Sequence, residues 1–186
     1  MGEGESESSG RLHCDVRLAS FAMPQGAVSG LSTRERQDKV RETERKLTAA
    51  LFRSLTPAVI LTAFPKASVD CYCTVLEISG SELSALVAAA SLALTQAHVP
   101  VLDLISCATA ALIKGNVVLD PTKEEETAAQ GVALVSYMAS RDEVCYVSFS
   151  GQWAPSVADE GLELLLDGGT QMDQLMRGCI RSYFEE

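Results

Sequence analysis

The sequence predicts an α+β domain in which mixed or antiparallel sheets carry helices inserted between their strands. Three observations predict it. Apolar residues alternate in several short runs, longer stretches repeat them at helical spacing, and some strand-like runs meet across tight turns. In order, residues 12–21 read as a strand, and 23–32, with a proline and two glycines, as a loop. Ser32-Thr33-Arg34-Glu35 has capping-box spacing and opens a helix whose Leu47, Leu51, Phe52 and Leu55 share one face as far as Thr56-Pro57. Residues 58–64, the turn Pro65-Lys66-Ala67-Ser68 and residues 69–79 read as strand, turn and strand. The second of these alternates Asp70, Tyr72 and Thr74 against Cys71, Cys73 and Val75. A helix follows over 81–98. Residues 102–113 and 117–120 flank Lys114-Gly115-Asn116 as a hairpin, and 121–130 reads as an acidic loop or short helix. Residues 132–138 and 144–149 form a further hairpin. The last helix spans about 155–184, with Gly168-Gly169 a break or a close-packing point.

At 186 residues and 47% hydrophobic, the chain suffices for one globular domain, which we read over 11–186. Residues 1–10 are acidic and small, a disordered lead-in without the features of a secretory signal. No apolar run reaches membrane-spanning length, because Ser84, Ser91, Thr95 and Gln96 interrupt the alanine-rich stretch. The six cysteines, Cys14, Cys71, Cys73, Cys107, Cys145 and Cys179, include no Cys-x-x-Cys pair and read as reduced core residues. Cys71 and Cys73 share a strand side, open to a metal or redox role, although an apolar strand face explains them with less. His13 and His98 have no ligand-spaced neighbours. No Walker loop, Gly-x-Ser-x-Gly elbow or Gly-x-Gly-x-x-Gly turn is present.

A net charge of -10 argues against broad, unaided binding to a polyanion. Charge is unevenly spread, however: residues 34–53 hold seven of the fifteen basic side chains and carry +3.

Several motifs occur in a fixed order. Gly10 to Ala22 forms the opening strand, followed by Phe64-Pro65-Lys66 and Val69-Asp70. Next come Ser79-Gly80-Ser81-Glu82-Leu83 entering a small-residue helix, Ser91-Leu92-Ala93-Leu94, Val99 to Leu104, and Leu119-Asp120-Pro121-Thr122-Lys123-Glu124-Glu125-Glu126. Together they resemble the RNase PH superfamily over residues 11–181. That likeness implies an RNase PH-like domain, similar in fold to domain 2 of ribosomal protein S5, whose earlier strands have no counterpart in these residues. Gly80-Ser81-x-Leu83, Gly151-Gln152-Trp153 and the 172–181 tail are most similar to the Mtr (mRNA transport regulator) type of exosome ring subunit.

Active members of this family carry Gly-Gly-Thr-Arg before the helix, the arginine forking onto the attacking phosphate. In this chain the resemblance puts Leu83 at the arginine position and Glu82 at the threonine, beside Ser81. A guanidinium offers five donors; leucine offers none, and a glutamate repels phosphate. Of the aspartate pair that holds metal in active members, the first corresponds to Glu126 and the second falls near Gln130-Gly131, which has no carboxylate. The resemblance thus implies a non-catalytic subunit with no catalytic residue, metal or cofactor of its own. It further implies partnership with other RNase PH-like ring subunits and S1/KH cap subunits, RNA reached through the assembled channel, no membrane, and work in the nucleus, nucleolus and cytoplasm. Arg34, Arg36, Lys39 and Arg41 correspond to an Arg-rich segment facing the channel in relatives. A solvated helix face with Glu35/Lys39 and Asp38/Arg41 ion pairs explains the same residues equally well. Two other functions stay open: a phosphate-dependent 3′-to-5′ exoribonuclease and a free-standing RNA-binding module.

Overall fold

Strand β1, Arg11–Leu18, buries Leu12, Cys14 and Val16 and leaves His13 exposed and Asp15 half-buried between them, the period-two pattern of a sheet covered on one face. The computed structural model, which describes residues 9–23 and 30–185, pairs it with β2, Ser68–Val75. Of the expected disordered lead-in over residues 1–10, residues 1–8 lie outside the described residues, as does the central part of the 23–32 loop, whereas Gly10 is buried and donates its N–H to Leu61 O. The pairing is parallel, with Cys14 opposite Cys71. Parallel strands need a long crossover, and helix α1, Thr33–Leu55, lies on it. The capping box at its start forms as the sequence predicts: Glu35 N–H donates to Ser32 Oγ, and the Glu35 carboxylate accepts from Ser32 N–H at 2.8 Å. The cap engages Oε2 of Glu35.

Alternation on β1 aims the even-numbered N–H groups away from β2. Val16 N–H donates to Thr48 Oγ1 and Leu18 N–H to Glu44 Oε1, each at 3.0 Å, so α1 covers part of the strand's outer edge with its own side chains.

Residues 58–64 are not the expected strand. Val59 forms an isolated antiparallel bridge with Val101, and Leu61–Ala63 is a 3₁₀ turn. The backbone there is already satisfied by chain leaving the next helix: Ile60 N–H donates to Pro100 O, and Leu102 N–H to Ala58 O. Consequently β2 finds β1 as its partner instead of forming a hairpin.

Helix α2, Glu82–Gln96, leads to a four-stranded antiparallel sheet made of β3 (Ser106–Ile113), β4 (Asn116–Leu119), β5 (Gly131–Met138) and β6 (Glu143–Gly151), ordered β4-β3-β5-β6. Lys114 and Gly115, at φ 50° and 84°, supply the two left-handed residues of the predicted tight hairpin. Short helix α3, Lys123–Ala128, follows β4, and α4, Pro155–Glu185, closes the chain.

Helices cover both faces of this sheet, which is why β3 is buried along nearly its whole length. One apolar cluster runs from the β1–β2 sheet through α1 and α2 to Ile105, Cys107, Leu134 and Met138. A second joins Ala108, Ala110, Ala133, Val135 and Tyr137 to Leu165 of α4. Gly168-Gly169 does not break α4. A Cβ at Gly168 would stand 2.9 Å from Leu119 Cδ2, and one at Gly169 would stand 3.3 Å from Ser106 Oγ, so the pair permits close packing. Arg177 anchors the last part of α4, bonding Asp173 at 2.7 Å and Asp103 at 2.5 Å. No helix among the described residues is long and apolar enough to cross a membrane.

Candidate anion site at the start of helix α2

The turn before α2 can form only because Gly80 lacks a side chain. Gly80 has φ 112°, and a Cβ there would lie 2.4 Å from Pro121 O. This close approach lets Lys123 N–H donate to Ser79 O at 2.7 Å and Ser81 Oγ to Pro121 O at 3.1 Å. Ser81, left-handed at φ 52°, makes no side-chain cap on its own helix. The turn is thereby clamped to the start of α3. There Thr122 and Glu125 form a second reciprocal capping box, which holds the Glu125 carboxyl below its ordinary range through the Thr122 backbone and hydroxyl bonds.

Helix starts expose N–H groups and the positive end of the peptide dipoles, so they suit anions. In this chain carboxylates of the protein itself occupy that place. Ser81 N–H donates to Glu126 Oε1 at 3.0 Å, and Gly80 N–H donates to Glu82 Oε1 at 3.2 Å. Lys123 Nζ donates to Glu126 Oε2 at 2.7 Å and lies 3.9 Å from Glu82 Oε1. Burial works against the Lys123 ammonium, but the bond to Glu126 and the attraction of Glu82 and Glu126 outweigh it and raise its pKa. Two carboxylates facing one ammonium leave the site net negative.

Leu83, at the position where the resemblance expects a guanidinium, is 9% exposed and packs in the larger core cluster. Neighbouring Ser84 bonds Thr109 across to β3 at 2.8 Å. Glu126, the expected counterpart of a metal-holding aspartate, has both oxygens engaged. Gln130 N–H donates to Leu112 O at 2.8 Å, as an ordinary lead into β5. Among the described residues no group of three or more His, Cys, Asp or Glu is arranged to hold a metal ion.

The four expected RNA contacts are all exposed, and two of them line different hollows. Arg36 Nε donates to Leu31 O at 3.0 Å. Lys39 lines an open hollow of about 800 Å³ with Met23, Ile78 and Lys123, beside the α2 turn. Arg41 lines a different groove of about 600 Å³ between α1 and β1, with His13, Arg17 and Arg45. Positions two apart on a helix do not share a face, and this spacing separates the two side chains. Lys123 escaped the sequence reading as a site residue. Its signal was the Thr122-x-x-Glu125 capping spacing, which fixes α3 and with it the direction of Lys123 and Glu126.

Residues 2–100 match the 3′ exoribonuclease family, domain 1, and residues 103–163 match domain 2 of that family. The division falls where the chain passes from the β1–β2 sheet and its helices to the four-stranded sheet. An Arabidopsis thaliana protein named exosome complex component Rrp41-like is 31% identical over 172 residues, covering 92% of this chain and 62% of its own length. The Cenarchaeum symbiosum exosome complex component Rrp41 is 27% identical over 175 residues, covering 94% and 68%. The chain therefore spans about three-fifths to two-thirds of these two relatives. In fold it is similar to the crystal structure of rice (Oryza sativa) Rrp46, with a TM-score of 0.75 at 20% identity, covering 97% of this chain and 78% of that one. With both family domains matched in order and the fold shared, the chain belongs to the RNase PH-like 3′ exoribonuclease family.

Proposed function

We propose that the chain is a non-catalytic structural subunit of an exosome ring, supporting 3′-to-5′ RNA processing and degradation carried out by other subunits. The names of its relatives support the exosome role. One observation carries the non-catalytic part: the N–H groups of Gly80 and Ser81 in the turn before α2 are bonded to Glu82 and Glu126, while Leu83 is packed in the core. Phosphorolysis needs a phosphate placed and charge-stabilised for attack. A net-negative site without a guanidinium opposes both. In this reading the chain joins other RNase PH-like ring subunits beneath S1/KH cap subunits. Arg34, Arg36, Lys39 and Arg41 then supply sequence-independent phosphate contacts to RNA threading the ring. The nucleus, its nucleolus and the cytoplasm are the proposed places of work.

The test incubates the purified full chain with single-stranded RNA, magnesium and orthophosphate, and looks for nucleoside diphosphates. No release is expected. Phosphate-dependent release that is abolished by Glu126→Gln would identify an active exoribonuclease instead. Co-purification with tagged ring subunits, followed by the mass of the intact assembly, tests the structural half. A chain that binds RNA alone and never enters an assembly would contradict it.

A further inference from the structure

The buried side of the β1–β2 sheet gathers three of the six cysteines. Cys14 and Cys71 are directly opposite in the parallel register, and Cys73 follows two residues later on the same side, its sulfur 3.9 Å from that of Cys71. Neighbouring strands lie about 4.8 Å apart, well inside the Cα separation of about 4.4–6.8 Å that a disulfide accepts. Two residues along one strand span about 6.6 Å, at the upper end of that window.

Cys71 is the middle thiol. The neighbouring thiols of Cys14 and Cys73 lower its pKa against the opposing effect of burial, and in its contact with Cys73 either sulfur can donate. Those two neighbours move the other way, each raised first by its bond to Cys71 and then by burial. Burial pushes Cys107 and Cys145, outside the cluster, up to about 11. Cys14 and Cys71 are buried, but Cys14 borders the groove of about 600 Å³ between β1 and α1 and Cys73 is only partly buried, so the cluster lies just beneath the surface.

From this geometry we infer that Cys14, Cys71 and Cys73 form a hydroperoxide-responsive redox site whose product is a Cys14–Cys71 disulfide stapling β1 to β2. In the first step the Cys71 thiolate attacks an oxygen of the hydroperoxide. The O–O bond breaks, an S–O bond forms, and the departing hydroxide or alkoxide takes up a proton, leaving Cys71 as a sulfenic acid. In the second, the Cys14 sulfur attacks the Cys71 sulfur, the S–O bond breaks, and the hydroxyl leaves as water with the Cys14 proton. The two thiols are oxidised and the peroxide is reduced; with hydrogen peroxide the other product is two waters. Cys73 acts as a positioning residue that holds the reactive thiolate by its S–H bond.

The test titrates the reduced full chain with hydrogen peroxide, blocks residual thiols by alkylation and maps peptides by mass spectrometry. The expected product is a Cys14–Cys71 cross-link, formed before the exposed Cys179 is oxidised and reversed by dithiothreitol. Cys14→Ser should leave a dimedone-trappable sulfenic acid on Cys71, Cys73→Ala should slow the reaction several-fold with the same product, and Cys71→Ser should abolish it. Mapping of the unsubstituted chain decides the matter even if a variant folds poorly. A cluster still reduced once Cys179 is oxidised, or a cross-link joining Cys71 to Cys73 in place of Cys14, overturns the inference.

Discussion

Helices α1 and α2 begin in opposite ways. Ser32 and Glu35 cap α1 reciprocally within one turn, by a device written in four consecutive residues. Ser81 is left-handed and gives its N–H to Glu126, 45 positions away. The first start is a local stability device. The second has the layout of an anion receptor, with convergent N–H groups and a nearby ammonium, filled from within the chain. The comparison teaches that convergent N–H groups and an ammonium at a helix start can be satisfied by carboxylates of the same chain.

The largest expected effect strikes the framework of the second start. Gly80→Ala places a methyl against Pro121 O in a left-handed backbone and should cost about 3 kcal/mol or more. Urea denaturation measures it; a loss no greater than that from an exposed loop glycine would show that the clamp between the turn and α3 is not rigid. Glu126→Ala comes next, leaving Ser81 N–H and the Lys123 ammonium without their shared partner, at about 1–3 kcal/mol. Ser32→Ala at the local cap should cost only about 1 kcal/mol. If its loss equals that of Glu126→Ala in the same denaturation series, the contrast between the two starts disappears.

The smallest expected effect is on pH dependence. Glu35 and Glu125 titrate below the ordinary value of 4.5 because their caps bond the ionised form. A folded pKa lowered beneath the unfolded one gives stability that is complete above the unfolded value and lost as pH falls through the folded value. Denaturation midpoints should therefore decline below about pH 4.5, and Glu35→Gln with Glu125→Gln should flatten the decline. An unchanged profile in the double variant would assign the decline to other carboxylates.

Features encoded over a few residues could be read directly from the sequence: the Ser32–Glu35 cap, the Lys114-Gly115 turn, the β5–β6 hairpin and the alternation of β2. Residues 58–64 misled because an apolar run between prolines looks like a strand, while the partner that decides its backbone is the segment near Pro100 and Leu102. The expectation that Leu83 stands at the arginine position came from the family likeness, and its packing in the core from the structure. The engagement of the turn by internal carboxylates was not legible, since it depends on the approach of α3 to the turn. The third member of the thiol cluster was hidden for a similar reason. Cys14 reaches Cys71 only through the parallel register of β1 and β2, which no local pattern specifies. Likeness to the Mtr type of ring subunit rests on residues 80–83, 151–153 and 172–181, whereas the relatives reported above carry the names Rrp41 and Rrp46.

Filling of the α2 anion site by the chain's own carboxylates is tested most directly by following the backbone amide signals of Gly80 and Ser81 by NMR during an orthophosphate titration of the unsubstituted chain. Both signals should stay in place, because their N–H groups are already bonded to Glu82 and Glu126. A saturable shift at these two amides would show that phosphate displaces the carboxylates, and would contradict the assignment of this chain as a non-catalytic subunit.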